Sequence, residues 1–201
     1  MKNHRLRIRT SQSGTAAVEF ALLASVFFTF VFGVIEFARI LYVYNTLQEV
    51  TRRAAAAAVN IYPLDHGSLD TVRQAAVFRV EAGELVLAPP VTDQFVRIDY
   101  LGLSRASDGS LSTVPIPEAS LPSCAAVHRQ ICMDDPNAAN CVRFVRVRIC
   151  DTADGSTCNF VKAGLVFPLV PLSVPLPKAT TITPVESLGY KPGTMPCPPA
   201  A

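Results

Sequence analysis

The feature that most constrains this chain is an uncharged apolar segment close to its N-terminus. Residues 20–35 read FALLASVFFTFVFGVI, and extending the segment back to Thr15 adds only one charged residue, Glu19. A helix needs about 20 apolar residues to cross a bilayer. The segment therefore predicts a membrane-spanning helix over residues 15–35.

The charges on either side of this segment predict its orientation. Residues 1–14 contain four basic side chains and no acidic one, whereas the whole chain has 18 basic and 16 acidic residues. The positive-inside rule keeps such a leader cytoplasmic and sends the C-terminal part outward. The remaining charge is small and slightly acidic, which argues against a nucleic acid as a direct partner.

The helix is predicted to continue beyond the membrane. No proline precedes Pro63, and apolar residues recur at three- and four-residue steps from Ile40 to Ala54, so we expect a helix over residues 15–59. A cleaved signal peptide would place small residues directly after its apolar region. The residues after Ile35 are Glu-Phe-Ala-Arg, so the segment is expected to stay as an anchor.

All the cysteines lie in the last part of the chain. An even number of them in one segment indicates disulfides in an oxidising compartment, with the pairing left open among 15 possibilities. No two cysteines form the closely spaced knuckle that structural zinc sites favour, so no metal is expected. The candidates are Cys124, Cys132, Cys141, Cys150, Cys158 and Cys197.

One acid within the apolar segment points to processing. The string Ser13–Phe20, SGTAAVEF, follows the basic leader and opens the helix. It resembles the processing site of type IV prepilins, in which a prepilin peptidase cuts after the glycine and the fifth mature residue is glutamate. A cut after Gly14 would leave an ammonium group on Thr15, one helical turn from the Glu19 carboxylate on the same face.

Three longer strings narrow this resemblance. Residues 14–22 (GTAAVEFAL), 32–39 (FGVIEFAR) and 47–55 (LQEVTRRAA) resemble the TadE-like family, minor pseudopilins of the Tad (Flp-type) pilus and secretion system. The resemblance implies a non-enzymatic protein without a cofactor, single-pass in the bacterial inner membrane with a periplasmic C-terminal domain. The implied partners are prepilin peptidase, other Tad pilins and pseudopilins, the pilus assembly platform and membrane lipid, and incorporation into a surface pilus is implied as well.

The exported domain, residues 60–190, is expected to be small and of mixed structure. A helix over Leu69–Ala82, with Ser68 as its N-cap, and strands over Phe95–Leu103 and Val142–Cys150 are predicted, with a bulge near Phe144. Weaker strands are expected over 160–166 and 179–185, a loop over 104–140 and a flexible proline-rich tail over 191–201. The predicted fold class is α+β, pilin-like: a long N-terminal helix packed on a small antiparallel sheet with disulfides.

Several polar residues admit two interpretations. Glu36 and Arg39, three apart on the helix, pair either locally or between subunits. Residues 151–154 form either a calcium loop or a hairpin turn at Asp154. Three arginines (Arg143, Arg146 and Arg148) either attract an anionic partner or lie on a solvated strand face.

The sequence offers no catalytic motif. His66 and His128 are predicted to be surface loop residues, and catalytic pairing of a histidine with Cys124 or Cys132 is not favoured. A pseudopilin is therefore the leading interpretation. The alternative is an uncleaved, signal-anchored periplasmic binding or scaffold protein, which would retain its leader and tolerate changes at Glu19.

Overall fold

The computed structural model describes residues 13–151, 157–165, 173–193 and 197. The chain divides into two compact units, Met1–Ile40 and Leu41–Ala201. The α-helices of the described residues are α1 (Ser13–Ala58), α2 (His66–Ala76) and α3 (Ala125–Asp134). The strands are β1 (Val96–Arg105), β2 (Leu111–Pro115), β3 (Phe144–Ile149), β4 (Lys162–Gly164), β5 (Ser173–Pro175) and β6 (Thr180–Pro184).

The described part of the first unit is the N-terminal portion of α1. Its large apolar side chains are exposed around the helix, as in a segment that faces lipid. Two of its hydroxyls bond to the helix backbone: Ser25 donates to the Leu22 carbonyl at 2.8 Å and Thr29 to the Ser25 carbonyl at 2.7 Å. The predicted long apolar N-terminal helix is confirmed.

The second unit contains the predicted antiparallel sheet. Four strands lie in the order β2-β1-β3-β6, and all neighbours are antiparallel. β4 and β5 form a separate two-stranded sheet. Together with the helix and the disulfides this confirms the α+β class.

One face of the four-stranded sheet packs against the C-terminal portion of α1. The apolar stripe predicted on α1 is buried, and α2 adds its own apolar face. Alternate residues of β1 and β3 supply the opposite wall, because successive side chains of a strand point to opposite faces. The main contributors are Val43, Leu47, Val50, Ala54, Leu69, Val72, Val96, Tyr100, Val145, Val147 and Ile149.

The second helix begins and ends earlier than predicted. Asp65, not Ser68, is the N-cap: its carboxylate accepts hydrogen bonds from the backbone N–H of Ser68 at 3.1 Å and from its hydroxyl at 2.7 Å. These bonds hold the pKa of Asp65 below its usual value. The helix ends at Ala76 because Phe78 adopts a left-handed backbone conformation, with φ of 61°.

The prediction of a loop over 104–140 was wrong in two places. The first strand extends to Arg105 and turns through Gly109, whose φ of 84° suits glycine, into β2. Helix α3 occupies part of the remainder. The predicted bulge near Phe144 is also absent, since pairing between β1 and β3 is continuous from Val96 to Leu101.

Candidate functional site

The predicted processing residues lie in the first turns of α1. Gly14, Thr15 and Glu19 are all exposed, and Thr15 and Glu19 are one turn apart on the same face. A Cβ added at Gly14 would meet nothing within 4 Å, so the helix itself does not require glycine there. The leader before Ser13 lies outside the described residues.

The helix that carries these residues is apolar enough to cross a membrane. An 18-residue window within Gly14–Ala58 has a mean hydropathy of 2.3, and none of that window is buried inside the protein. Its exposed side chains include Phe20, Leu23, Val26, Phe27, Phe30 and Phe37. Such a surface is stable in lipid and costly in water.

Glu36 and Arg39 pair locally within α1. The Arg39 Nε and Nη2 atoms both donate to Glu36 Oε1, at 3.0 and 2.7 Å. The side chains are only 8% exposed for Arg39 and 11% for Glu36. An ion pair of this kind cancels the charge of each partner, which lowers the cost of placing either group near lipid.

The six cysteines form three disulfides: Cys124–Cys197, Cys132–Cys141 and Cys150–Cys158. Two of them close short loops of 9 and 8 residues in sequence separation, and the third spans 73 residues. The sequence left this pairing open. In the structure each of the four central cysteines pairs with its neighbour in the sequence, and the first cysteine pairs with the last.

His128 lies beside one of these disulfides. It is buried on α3, so its prediction as a surface loop residue was wrong. Its Nε2 atom accepts a hydrogen bond from the Val142 N–H at 2.9 Å and lies 3.3 Å from Cys132 Sγ. Because Nε2 is the acceptor, the neutral ring carries its proton on Nδ1. Burial lowers the pKa of His128 below its usual value.

The same corner places three potential metal ligands together. The ligand atoms of His128, Cys132 and Cys141 all lie within 4.8 Å of one another. In this structure the two sulfurs are bonded to each other at 2.02 Å, so neither is a thiolate that binds metal or acts as a nucleophile. The arrangement is a packed disulfide with a histidine acceptor beside it.

The remaining predicted residues lie apart from this corner. His66 is the exposed first residue of α2 and lies 3.2 Å from a carboxylate oxygen of Glu118. Asp151 forms an isolated bridge with Asn159, while Asp154 lies outside the described residues. The choice between a calcium loop and a hairpin turn over 151–154 therefore stays open.

Arginines of β1 and β3 converge on one carboxylate that the sequence analysis had not singled out. Asp99 Oδ2 accepts from Arg146 Nη2 at 3.1 Å and from Arg148 Nη2 at 2.6 Å, while Oδ1 accepts from Arg97 Nε at 3.0 Å. Burial raises the pKa of Asp99, but the hydrogen bonds and charges of Arg148 and Arg97 outweigh burial and leave this pKa below its usual value. Arg143 is not part of the cluster and donates to the Pro136 carbonyl at 3.3 Å.

The sequence did contain a signal for this cluster. Asp99 and Arg146 occupy directly paired positions of adjacent strands, as do Arg97 and Arg148. Pairing the two predicted strands through their alternation of apolar and charged residues brings these side chains to one face.

An apolar N-terminal helix followed by a disulfide-bonded α+β unit suggests a class of membrane-anchored proteins. A sequence model of the TadE-like protein family matches residues 14–56, which confirms the resemblance over that range. This match suggests association with a Tad pilus and a structural, non-enzymatic role. No curated protein and no solved structure matches the chain.

Proposed function

We propose that the chain is a minor pseudopilin of the TadE-like type, cut after Gly14 by prepilin peptidase and assembled through its N-terminal helix. The observation that carries this proposal is the position of Gly14 and Glu19 in the first turns of an exposed apolar helix. Both residues lie within the family match. A basic leader precedes them in the sequence.

The position of the cleaved bond suits a peptidase. Hydrolysis of the Gly14–Thr15 bond adds one water, leaving a carboxylate on Gly14 and an ammonium group on Thr15. Gly14 and Thr15 are both exposed in the described part of the chain, so an enzyme can reach the bond between them.

Cleavage changes the electrostatics of the helix end. A carboxylate within the bilayer costs about 2.5–3.5 kcal/mol at mid-depth by insertion scales, and a paired one costs less. The new ammonium on Thr15, or that of a neighbouring subunit, would neutralise Glu19. Processing would thus be coupled to lateral packing of helices in a filament.

The two ends of the chain would have different tasks. The exposed apolar surface of α1 would contact inner-membrane lipid and then the helices of other Tad pilins and pseudopilins. The disulfide-bonded unit would lie in the periplasm, the oxidising side, and contact other pilus components and the assembly platform. No reaction is assigned to the chain itself.

The N-terminal sequence of the protein isolated from membranes of its own host tests this proposal. A start at Thr15 supports processing by a prepilin peptidase. A start at Met1 overturns it and favours an uncleaved, signal-anchored periplasmic binding or scaffold protein. A start beyond Ile35 would indicate a secreted protein and overturn both interpretations.

Two glycines of α1 provide a matched pair of variants. An added Cβ meets nothing within 4 Å at Gly14 or at Gly33, so both positions accept a side chain without a clash. We expect Gly14→Leu to retain the leader and Gly33→Leu to lose it. Equal processing of the two variants would exclude Gly14 as the determinant of cleavage.

A further inference from the structure

The face of the four-stranded sheet opposite the core has an unusual composition. The strand register places Arg97 of β1 beside Arg148 of β3, and Arg148 beside Thr180 of β6. The next row is Asp99, Arg146 and Ile182. We call these residues the arginine face: Arg97, Asp99, Arg146, Arg148, Thr180 and Ile182.

The arginine face carries a positive surplus. Arg146 and Arg148 both bind the same carboxylate oxygen of Asp99, so these two guanidinium groups carry more positive charge than that one carboxylate balances. The arginine side chains are only 21–36% exposed. Charges that have already lost most of their water bind an anion more strongly than fully solvated ones do.

The cluster also has a surplus of hydrogen-bond donors. A carboxylate accepts about four hydrogen bonds, whereas each guanidinium offers five N–H groups. Arg146 and Arg148 share the single oxygen Oδ2 of Asp99. In the described part of the chain, Arg148 Nε is the one buried side-chain nitrogen or oxygen without a hydrogen-bond partner.

Apolar surface lies directly beside these donors. Ile182 is paired with Arg146 and is half exposed, and it lies on an edge strand. Arginine together with apolar side chains is typical of protein interfaces, whereas a purely ionic surface is not. This mixture favours a protein segment over a phosphate-rich surface as the occupant.

We propose that the arginine face binds an acidic segment of a partner protein, one that carries two neighbouring carboxylates next to an apolar side chain. Each carboxylate accepts from a guanidinium of Arg146 or Arg148, and the apolar group covers Ile182. The pairing gives Arg146 and Arg148 a carboxylate each, in place of the one that they share. It does not depend on cleavage after Gly14, because all its residues lie in the second unit.

A photo-crosslinking amino acid at position 182 of the full chain, produced in its own host, tests this proposal. The matched control is position 111 in β2, at the opposite edge of the sheet: Leu111 is 56% exposed and Ile182 is 52%. We expect position 182, but not position 111, to crosslink to a protein at a peptide with at least two acidic residues. No adduct at position 182, or adducts only with lipid or nucleic acid, would overturn the proposal.

Charge variants establish whether the arginines are responsible. Arg146→Gln combined with Arg148→Gln should lower the yield at position 182 by at least about tenfold, since one charge-assisted hydrogen bond is worth that much. Unchanged yield in the folded double variant would contradict the proposal. Should that variant fail to fold, Asp99→Asn is the decisive variant. It adds one positive charge to the arginine face, so the crosslinking yield at position 182 must rise. A constant or lower yield overturns the proposal.

Discussion

The hydroxyl of Thr51 in α1 lies 2.9 Å from the hydroxyl of Thr181 in β6. Thr51 donates its single hydroxyl proton to the Gln48 carbonyl at 3.0 Å, so Thr181 is the donor in the pair. The contact joins residues 130 positions apart in the sequence. It ties the N-terminal helix to the last strand inside the core.

Replacing one of these threonines should cost more than replacing both. Thr51→Val leaves the Thr181 hydroxyl without its acceptor, which should cost about 1–3 kcal/mol, while the double valine variant forms an apolar contact of similar shape. Urea unfolding of the full chain in detergent, followed by tyrosine fluorescence, measures the four stabilities. Additive costs in this cycle would show that the hydroxyls act independently.

Glu19→Ala should uncouple processing from assembly. Under the proposed function this change removes the carboxylate that would neutralise the new ammonium group on Thr15, so we expect normal removal of the leader and loss of the protein from sheared pili. Immunoblotting of membrane and pilus fractions, with N-terminal sequencing, distinguishes the two steps. The control is Glu49→Ala, which breaks only an exposed pair with Arg53. Normal piliation of the Glu19 variant would refute the role assigned to this carboxylate.

The buried His128 predicts a loss of stability on mild acidification. The pKa of His128 in the folded chain lies below the ordinary value of about 6.5. Above that pH the His128 ring is therefore neutral in both the folded and the unfolded chain. Below it the unfolded chain takes up a proton that the folded chain does not, so stability falls as the pH drops towards the folded pKa. Urea unfolding between about pH 7.5 and pH 5, the range in which histidine side chains titrate, measures this slope.

Two variants test whether His128 causes this pH dependence of the stability. His128→Gln keeps an acceptor for the Val142 N–H and should flatten the slope. His66→Gln changes an exposed side chain and should leave it intact. A slope that survives in the His128 variant would assign the pH dependence to another group.

The disulfide pattern predicts a definite set of tryptic peptides. Cleavage without reduction should give residues 130–143 and residues 149–162, each with an internal disulfide, because each contains one complete pair. Residues 106–129 should be linked to residues 179–201 through Cys124 and Cys197. On reduction the first two peptides gain two hydrogens each, and the linked species separates into two. A crosslink between 130–143 and 149–162 would contradict the structure.

The elements that the sequence predicted well are those whose pattern is local. The apolar positions of α1 and the alternation of apolar and charged residues in β1 and β3 are visible in short stretches of sequence. Helices and strands differ in side-chain period, so each pattern indicates both the type of element and its buried face. Helix α3 has no such pattern. Its ten residues bury only Ala126 and His128, and a helix this short is marginal without tertiary contacts. The disulfide from Cys132 to Cys141 supplies such a contact.

The candidate sites also divide into those visible in the local sequence and those that form only when the chain folds. The spacing of Gly14 and Glu19 is a property of the chain and is visible in the sequence, whereas the convergence of three arginines on Asp99 requires the strand register. His128 was misplaced because its neighbour Val142 is distant in sequence and its acceptor role appears only after folding. Cysteine pairing likewise depends on which ends of the fold meet.

The position of β6 has a consequence for the order of events during synthesis. This strand pairs with β3, and the segment after it donates from Glu186 and Leu188 to the Val59 carbonyl at the end of α1. A nascent chain whose residues 180–188 are still inside the ribosome therefore has its long N-terminal helix but an unfinished sheet, with β3 as an open edge. Until those last residues arrive, the half-built domain needs protection from pairing with a neighbour.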